Sequence, residues 1–471
     1  MSDSLSAVRA MLEAHGQAHL LAFYDQLNAK QQASLLAQIS AIDFDALDEL
    51  IDEYVRHPQP AKLPDKIEPA PYYALGSEER KYHEVGEEVI ASGKIAAFTV
   101  AGGQGTRLGW NGPKGTFPAT PITGKPLFRV FAEQILAAQR RYGVTIPWYI
   151  MTSPINDADT RAFMTDNNCF GLNRRDMFMF PQGVVPSFEM STGRLLLAEK
   201  HEIAVNPDGH GGSLRALRQS GAIEDMAGRG IEHISYFQVD NPLAKVIDPV
   251  FIGRHTAAPD SSAELSSKMV PKASPEEKVG VFCRAGGKTL VIEYSDLPSE
   301  LASQRDDRGA LRFNAGSIAI HLFGVAFVER LTADPHRFGL PWHRAEKKVP
   351  FIDVETGQRI EPASPNAVKL EAFVFDALPL AESAIVCETS RAEEFAPIKN
   401  AEGADSPATS HELQSERFAK WLESRGVRVP RDRNGRAQAR IEISPLTATE
   451  ADEIPAADLP PVIQPGANVV L

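Results

Sequence analysis

The chain has 471 residues, enough for roughly two to four domains with an ample apolar core. Acidic residues outnumber basic residues by 62 to 49 and the formal net charge is −13, so we expect neither a general nucleic-acid binder nor a protein that binds anionic membranes. The three cysteines are far apart and odd in number, which argues against a disulfide framework or a cysteine metal site and predicts reduced thiols in a cytoplasmic protein.

The N-terminal region, residues 1–92, is predicted to be a helical domain that carries no chemistry. Its first residues, MSDSLSAVRAMLEAHG, lack the apolar core of a signal peptide. Apolar residues at helical spacing from Leu47 to Tyr54 predict one face of an amphipathic helix. Five prolines between residues 58 and 71 predict an extended connector to the next domain.

A glycine-rich loop, residues 101–114 and called the glycine loop below, follows a short apolar run. The run, residues 95–100, has the length and composition of a buried parallel strand. In the GGQG sequence that follows, three of the four positions are glycines without a side chain that would keep a ligand away, so several backbone N–H groups can approach an anion. Arg107 and Lys114 add positive charge. The spacing fits neither the dinucleotide fingerprint nor the kinase-type P-loop, and it is compatible with a nucleoside triphosphate site or with a plain turn bearing two surface cations.

Alternation of strands and helices from Lys94 onward predicts an α/β fold with a doubly wound, mostly parallel, Rossmann-like sheet. We expect a helix at 127–141 and strands at 148–151 and 233–239. Asp240 follows the last of these strands, at the sheet edge where open α/β folds bind ligands. A carboxylate there suits Mg²⁺, which takes one or two carboxylates together with substrate phosphates, but the position fits a helix cap or a turn equally well.

The second half of the chain is predicted to complete a catalytic domain, residues 93–385, and to end in a small strand-rich domain, residues 386–471. Strands are predicted at 266–270, 280–284 and 290–293, and a helix at 411–424. The most apolar window, residues 316–328, is too short to cross a bilayer, so we expect no membrane partner. By spacing alone, isolated lysines such as Lys369 and Lys399 are solvated surface residues.

The motif AGGQGTRLG at residues 101–109, followed by Pro113-Lys114-Gly115, resembles the signature of the eukaryotic-type UDP-sugar pyrophosphorylases. Within that family the chain is most similar to the UDP-N-acetylglucosamine (N-acetylhexosamine) pyrophosphorylases. The likeness extends from residue 94 to the C terminus. Further motifs that match are NPDG at 206–209, IEYS at 292–295, FNAG at 313–316, NAVKLE at 366–371 and IEISPL at 441–446.

The resemblance implies a set of site residues. Those implied to bind the nucleotide are Ala101, Gly102, Gly103, Lys114, Gln182, Gly209, Asp240 and Lys369. Those implied to bind the sugar are His210, Gly280, Glu293, Tyr294, Asn314, Phe373, Phe375 and Lys399. Those implied to act in catalysis are Arg107, Lys114 and Lys399, and Asp240 is the implied metal ligand. In more detail, the resemblance places Gln182 and the backbone of Gly209 at the uracil, Lys369 at the nucleotide phosphates and Lys399 at the sugar 1-phosphate.

The chain departs from the family pattern in two places. His210 stands where the family more often has asparagine, on the side of the sugar. Thr409-Ser410-His411 lacks the arginine that the family usually has beside the histidine. We expect the backbone role of Gly209 to persist, whereas the sugar-side role of position 210 stays open.

The reaction implied by the resemblance joins UTP and N-acetylglucosamine 1-phosphate to give UDP-N-acetylglucosamine and pyrophosphate, with Mg²⁺ as cofactor. The attacking phosphate oxygen is already ionised at neutral pH, so the site has only to align the reactants and neutralise charge. Two alternatives stay open: a UDP-glucose or broad-specificity UDP-sugar pyrophosphorylase, and a nucleotide-sugar-binding regulator without catalysis. The sequence gives neither the oligomeric state nor the preference between the glucosamine and galactosamine epimers.

Overall fold

The apolar run before the glycine loop forms a strand, Ile95–Val100, as predicted. The strand lies in the larger of two units into which the computed structural model divides the chain. The large unit comprises Pro64–Pro181, Ala216–Arg330 and Phe375–Leu471, and the small unit comprises Met1–Leu63, Gln182–Arg215 and Leu331–Val374. The residues that the structure describes are 2–58, 63–334 and 339–471. The units divide the chain differently from the three domains predicted above, and those domain boundaries stay a prediction.

Helices alternate with strands, and several begin at capping signals that the sequence carries. The α-helices are α1 (Ser2–Ala14), α2 (Ala29–Ser40), α3 (Phe44–Leu50), α4 (Glu79–Ala91), α5 (Leu127–Tyr142), α6 (Asp157–Asp166), α7 (Gly212–Gln219), α8 (Ala222–Gly228), α9 (Pro249–Ala257), α10 (Ser299–Ala302), α11 (Val325–Leu331), α12 (Arg391–Glu394) and α13 (Pro407–Ser424). Asn28 and Gln31 form a capping box at α2, and Asp248 caps α9 ahead of Pro249. Within the described ranges, no helix has both the length and the apolar composition needed to cross a bilayer.

A ten-stranded sheet forms the centre of the large unit. Numbered in chain order across both units, its strands are β1 (Glu68–Pro69), β2 (Ile95–Val100), β3 (Trp148–Thr152), β4 (Met177–Pro181), β10 (His233–Gln238), β11 (Leu265–Pro271), β12 (Val281–Ala285), β13 (Lys288–Ile292), β14 (Ala315–Gly324) and β19 (Ala384–Glu388). The neighbours β10, β2, β3 and β4 are mutually parallel, as predicted, and the rest of the sheet is mixed. Every residue of β3 is buried, as is typical of a parallel strand covered on both faces.

One edge of this sheet collects the strand ends that lead to the predicted site residues. The carboxyl ends of β2, β3, β4 and β10 share that edge because these strands are parallel. Strand β14 runs antiparallel to β10, so β14 begins there. Strand β11 is antiparallel to β14, and β19 is parallel to β11, so both end there. The segments that follow β2, β10, β11 and β19 therefore begin at one edge of the sheet, and the segment that precedes β14 ends at the same edge. We call this edge the site edge.

The small unit packs the N-terminal helices against short strands. Its strands are β5 (Val184–Pro186), β6 (Phe188–Glu189), β7 (Leu197–Glu199), β8 (Glu202–Ile203), β9 (Val205–Pro207), β15 (Trp342–Lys347), β16 (Phe351–Ile352), β17 (Arg359–Ile360) and β18 (Ala367–Ala372). The apolar face predicted from Leu47 spans α3 and the π-helix Ile51–Arg56, and Leu47 and Ile51 are buried in one cluster with Phe188 and Val368. The N-terminal helices thus supply core to this unit.

The C-terminal segment builds an apolar cluster of its own around α13. Its strands in the described residues are β20 (Arg440–Glu442) and β21 (Asn468–Val470), fewer than the sequence predicts. The prolines at 455, 460, 461 and 465 lack the N–H that a strand ladder needs. Glu442, from the IEISPL motif, accepts the backbone N–H groups of Ile122 and Thr123 at 3.0 and 2.9 Å, so the motif holds the loop that precedes α5.

Candidate active site

The glycine loop folds back on itself directly after β2. The backbone N–H of Lys114 donates to the carbonyl of Gly103 at 3.0 Å. The side-chain amide of Asn156 donates to the carbonyls of Ala101 and Gly103 at 3.1 and 3.2 Å. These bonds fix the course of the backbone without help from a ligand, which is the preorganisation that anion binding by N–H groups requires.

Glycine occupies different positions of the loop for different structural reasons. A Cβ at Gly105 would lie 2.7 Å from the Cβ of Trp110, so packing alone demands glycine there. At Gly103 the nearest atom to such a Cβ would be Lys114 Cδ at 3.9 Å, so packing does not demand glycine. The glycine at 103 instead leaves the exposed backbone open on the side of Lys114.

Lys114 and Asp240 face each other at the site edge. Lys114 Nζ lies 3.5 Å from Asp240 Oδ2, and the two side chains are 15% and 14% exposed. Arg107 is exposed on the 3₁₀ turn Thr106–Leu108, and no carboxylate among the described residues lies within ion-pair distance of it. The loop therefore offers one cation paired with a carboxylate and one cation available to a ligand.

The segment that carries Lys399 reaches the same place. The N–H of Ile398 donates to the backbone carbonyl of Asp240 at 2.8 Å. Lys399 Nζ lies 3.8 Å from Asp405 Oδ2, and its side chain is 40% exposed. Lys114, Asp240 and Lys399, separated by up to 285 positions in the chain, thus belong to one region of the large unit.

Three of the large-unit residues predicted to contact the sugar lie close together at the start of β14, because Val281 pairs both with Gly316 of β14 and with Ile292, the last residue of β13. Gly280 precedes β12, Glu293 follows β13 and Asn314 precedes β14. A Cβ at Gly280 would lie 3.2 Å from Glu293 Oε1, so these two residues are in direct proximity. Tyr294 is 47% exposed beside Glu293, and Phe375 is buried in the 3₁₀ helix Val374–Leu380.

The predicted metal site has one candidate ligand, the carboxylate of Asp240. Among the described residues no group of three or more His, Cys, Asp or Glu side chains is arranged to hold a metal ion. The described residues therefore do not provide a complete set of protein ligands for a metal ion at this site. Asp240 fits the other mode of binding, in which Mg²⁺ takes one or two carboxylates and completes its coordination with substrate phosphates and water.

In the small unit the turn at Gly209 is held against the end of β18. Gly211 N donates to the carbonyl of Ala372, and Ala372 N donates to the carbonyl of Asp208, each at 2.8 Å. Gly209 has φ of +84°, and a Cβ there would lie 2.4 Å from the Ala372 carbonyl oxygen. Glycine is thus required at 209 by conformation and by packing. Lys369 lies on the same strand, and burial lowers its pKa although Glu371 opposes the shift.

The structure brings His210 and Phe373 into contact, together with a third aromatic ring that the sequence did not reveal. The rings of His210 and Phe373 stack at 5.3 Å, and the ring of His343 stacks on Phe373 at 4.2 Å. His210 Nδ1 accepts the N–H of Val374 at 3.1 Å. Burial, with His343 nearby, lowers the pKa of His210 to about 4, so the imidazole is neutral at physiological pH. His343 has no local motif, and only the pairing of β15 with β18 brings it here.

Asp208 is a second residue that sequence analysis missed. It is 1% exposed, and Cβ atoms at Gly183 and Gly212 would lie 2.4 and 2.1 Å from its carboxylate. Burial raises the pKa of Asp208 to about 6, while Arg215 acts in the opposite direction. The signal was present in part, because Asp208 stands inside the NPDG motif directly before the glycine-rich stretch at residues 209–212. Gln182, the first residue after β4, is 9% exposed in this unit.

Comparison with known proteins places the chain among UDP-sugar pyrophosphorylases. The model for the family described as UTP–glucose-1-phosphate uridylyltransferase matches residues 45–416. The UDP-N-acetylhexosamine pyrophosphorylase-like protein 1 of Xenopus tropicalis is 38% identical over 448 residues, covering 90% of this chain and 86% of that protein. The UDP-N-acetylglucosamine pyrophosphorylase of Saccharomyces cerevisiae is 35% identical, covering 88% of this chain and 90% of that protein. A crystal structure of the corresponding enzyme from Trypanosoma brucei, in complex with an inhibitor, has a TM-score of 0.79 at 27% identity and covers 100% of this chain and 98% of that one.

Proposed function

The chain belongs to the UTP–glucose-1-phosphate uridylyltransferase family, and we propose that it transfers the uridylyl group of UTP to N-acetylglucosamine 1-phosphate. The products are UDP-N-acetylglucosamine and pyrophosphate. The observation that carries this proposal is the convergence of Lys114, Asp240 and Lys399 beside the glycine loop. The names of the relatives, whose similarity covers most of the chain, support the N-acetylated sugar.

In the proposed reaction an oxygen of the sugar 1-phosphate attacks the α-phosphorus of UTP, and the bond from that phosphorus to the bridging oxygen breaks. Pyrophosphate leaves with the electron pair of that bond. The attacking oxygen is already anionic, so no side chain has to remove a proton. The residues have two tasks, which are to align the oxygen with the α-phosphorus and to offset negative charge on the transferred and leaving groups.

The large unit is proposed to supply the charge. Backbone N–H groups at Gly102 and Gly103 bind phosphate oxygens, and Arg107 and Lys114 offset the charge of the triphosphate. Lys399 binds the phosphate of the sugar. When bound at Asp240, Mg²⁺ supplies further positive charge to the phosphate oxygens.

The remaining assignments are proposals for recognition of the base and the sugar. Gln182 and the backbone of Gly209 bind uracil, Ala101 contacts the nucleotide, and Lys369 binds its phosphates. Lys369 lies partly buried on β18, and this burial lowers its pKa. The sugar is bound by the side chains named earlier, which are His210, Glu293, Tyr294, Asn314, Phe373 and Phe375 together with Gly280.

We also propose that the enzyme works in the cytoplasm. Cys169, Cys283 and Cys387 are all buried and unpaired. Burial raises the pKa of Cys283 and of Cys387 to about 12, so their thiols stay protonated and unreactive at neutral pH. Such cysteines suit a reducing compartment.

The choice of sugar gives the first prediction. We expect kcat/KM for N-acetylglucosamine 1-phosphate to exceed that for glucose 1-phosphate by at least about a hundredfold, because a site built around a polar group rejects an analogue that lacks it. The comparison is made by pyrophosphate release at saturating UTP and Mg²⁺. Asn314→Ala should lower the efficiency with the N-acetylated sugar and leave glucose 1-phosphate nearly unchanged, since glucose carries no amide for Asn314 to bind.

Equal efficiency of the wild-type protein with the two sugar phosphates would contradict the N-acetyl assignment and favour a broad-specificity enzyme. An Asn314→Ala variant that loses activity toward both sugars in equal measure would remove Asn314 from the recognition of the acetamido group. The same assay with N-acetylgalactosamine 1-phosphate measures the epimer preference, to which His210 contributes if it faces the sugar.

A further inference from the structure

The end of β10 is joined to the segment that carries Lys399, residues 394–399, called the Lys399 segment. The side-chain amide of Asn241 donates to the carbonyl of Glu394 at 2.6 Å, and its oxygen accepts the N–H of Ala396 at 3.1 Å. Next to it, Ile398 N bonds the carbonyl of Asp240 at 2.8 Å. Three hydrogen bonds therefore connect Asp240 and Asn241, which follow β10, with the residues just before Lys399.

The first residue of the Lys399 segment is fixed independently by a buried ion cluster. Lys268 Nζ donates to both carboxylate oxygens of Glu394, at 2.5 and 2.7 Å, and to Asp248 Oδ2 at 2.5 Å. Glu394 is fully buried and Lys268 is 2% exposed. Burial disfavours the ammonium, but the two carboxylates hold the pKa of Lys268 above its ordinary value. Glu394 is thereby tied to β11 through Lys268 and to the start of α9 through Asp248.

The far side of the segment is held by α13. Ser410 Oγ donates to the carbonyl of Ala396 at 2.7 Å. Ser410 belongs to the stretch that lacks the arginine of the family pattern, and its structural contribution is to this segment. By contrast, the ammonium of Lys399 is partly exposed, with Asp405 at 3.8 Å as its ion-pair partner. These four hydrogen bonds from Asp240, Asn241 and Ser410 thus hold the backbone of the Lys399 segment, while the side chain of Lys399 remains 40% exposed.

We propose that Asn241 and Glu394 are positioning residues for uridylyl transfer, which set the place of Lys399 relative to Asp240 and hence the alignment of the sugar phosphate with the α-phosphorus. The inference rests on the proposed function. A misplacement of about 1 Å can cost a reaction about a hundredfold in rate, so a residue that never touches substrate can control it through the backbone. Asn241 is suited to this role because it is buried and because both the nitrogen and the oxygen of its side-chain amide form hydrogen bonds with the Lys399 segment.

The test is a double-mutant cycle on the full-length protein. We expect Asn241→Ala to lower kcat/KM for the sugar 1-phosphate by about tenfold to a hundredfold and to change KM for UTP much less. Lys399→Ala should lower kcat/KM for the sugar 1-phosphate by a larger factor. If Asn241 acts through Lys399, the double variant loses no more than about threefold beyond Lys399→Ala alone. Losses that multiply in the double variant would overturn the inference.

A matched control separates positioning from general destabilisation. Ser235, also on β10 and buried, donates to the carbonyl of Val246 at 2.6 Å and makes no contact with the Lys399 segment in the bonds described. Ser235→Ala should lower the melting temperature and leave kcat/KM within about twofold of wild type. A loss of sugar-phosphate efficiency in Ser235→Ala as large as in Asn241→Ala would also overturn the inference.

If Asn241→Ala does not fold, Glu394→Gln takes its place in the cycle, since it keeps the shape of the side chain and removes the charge that Lys268 binds. Losses that multiply in the double variant, or an equally large loss in Ser235→Ala, would then overturn the inference in the same way. A wild-type protein that makes no UDP-sugar would refute the proposed function and this inference with it. An active wild type whose variants show multiplying losses would refute only the positioning role.

Discussion

Asp240→Ala is expected to abolish detectable Mg²⁺-dependent transfer while leaving the protein folded. Asp240 is the carboxylate that the site edge presents next to Lys114, so its removal takes away the proposed ligand for the metal and the partner of that lysine. Mg²⁺ typically takes one or two carboxylates in sites of this kind, and among the described residues Asp240 belongs to no group of three or more His, Cys, Asp or Glu side chains that could hold a metal ion. The measurement is pyrophosphate release from UTP and N-acetylglucosamine 1-phosphate over a range of Mg²⁺ concentrations, with thermal melting of the same sample.

Asp176→Ala is the matched control for that variant. Asp176 precedes β4, so it lies at the edge of the parallel strands opposite to Asp240, and its carboxylate pairs with Arg229 at 2.9 Å. Loss of this ion pair should lower stability slightly and leave the metal dependence of the reaction as in wild type. Wild-type activity of Asp240→Ala at limiting Mg²⁺ would remove Asp240 from the site.

Arg107→Ala and Lys114→Ala are each expected to lower kcat/KM for UTP by about a hundredfold to a thousandfold, as is typical when one preorganised charge is removed from a transition state. The physical reason differs between the two. Arg107 is exposed and has no carboxylate partner in the described part of the chain, so its charge is available to phosphate. Lys114 is held near Asp240, and its loss also changes the surroundings of the metal ligand.

Lys94→Ala provides the comparison for these variants. Lys94 stands at the other end of β2 and pairs with Glu232 at 2.8 Å. Because it is far along the strand from the glycine loop, its removal should change kcat/KM by less than about twofold, in line with the small effects of surface ion pairs. If Arg107→Ala or Lys114→Ala behaved like Lys94→Ala in the UTP titration, that residue would have no part in binding the triphosphate.

Much of the large unit follows from local patterns. The apolar run at 95–100, the helix from Leu127 and the strand before Asp240 were each predicted within a residue or two, because strand and helix periods are properties of neighbouring residues. The place of Asp240 followed from a general rule, that ligands bind at the carboxyl ends of parallel strands. The convergence of Lys399 on Asp240 had been implied only by resemblance, since nothing in its local sequence distinguishes it from a surface lysine.

The residues that were missed depend on contacts distant in sequence. Asn241 bonds residues more than 150 positions away, and Lys268 meets Glu394 across 126 positions. His343 reaches Phe373 only through the pairing of β15 with β18. No local period encodes such pairings, because they depend on the register of strands that are far apart in the chain.

The sugar-binding prediction gains a physical detail from the small unit. Phe373 is one of the residues that the resemblance implies at the sugar. Its ring already stacks with His210 and His343, so the part of its surface covered by the imidazoles is not available to a ligand. The neutral His210 ring, which accepts a hydrogen bond from Val374 N, thus has a fixed position on one side of the stacked group of His210, Phe373 and His343.

The measurement that tests the central claim most directly is identification of the products by phosphorus NMR. Wild-type protein is mixed with UTP, N-acetylglucosamine 1-phosphate and Mg²⁺, and a parallel sample contains a chelator. We expect UDP-N-acetylglucosamine and pyrophosphate in equal amounts, re-formation of UTP when excess pyrophosphate is added, and no reaction in the chelated sample. Binding of nucleotide and sugar without any product, or hydrolysis of UTP without a UDP-sugar, would contradict it.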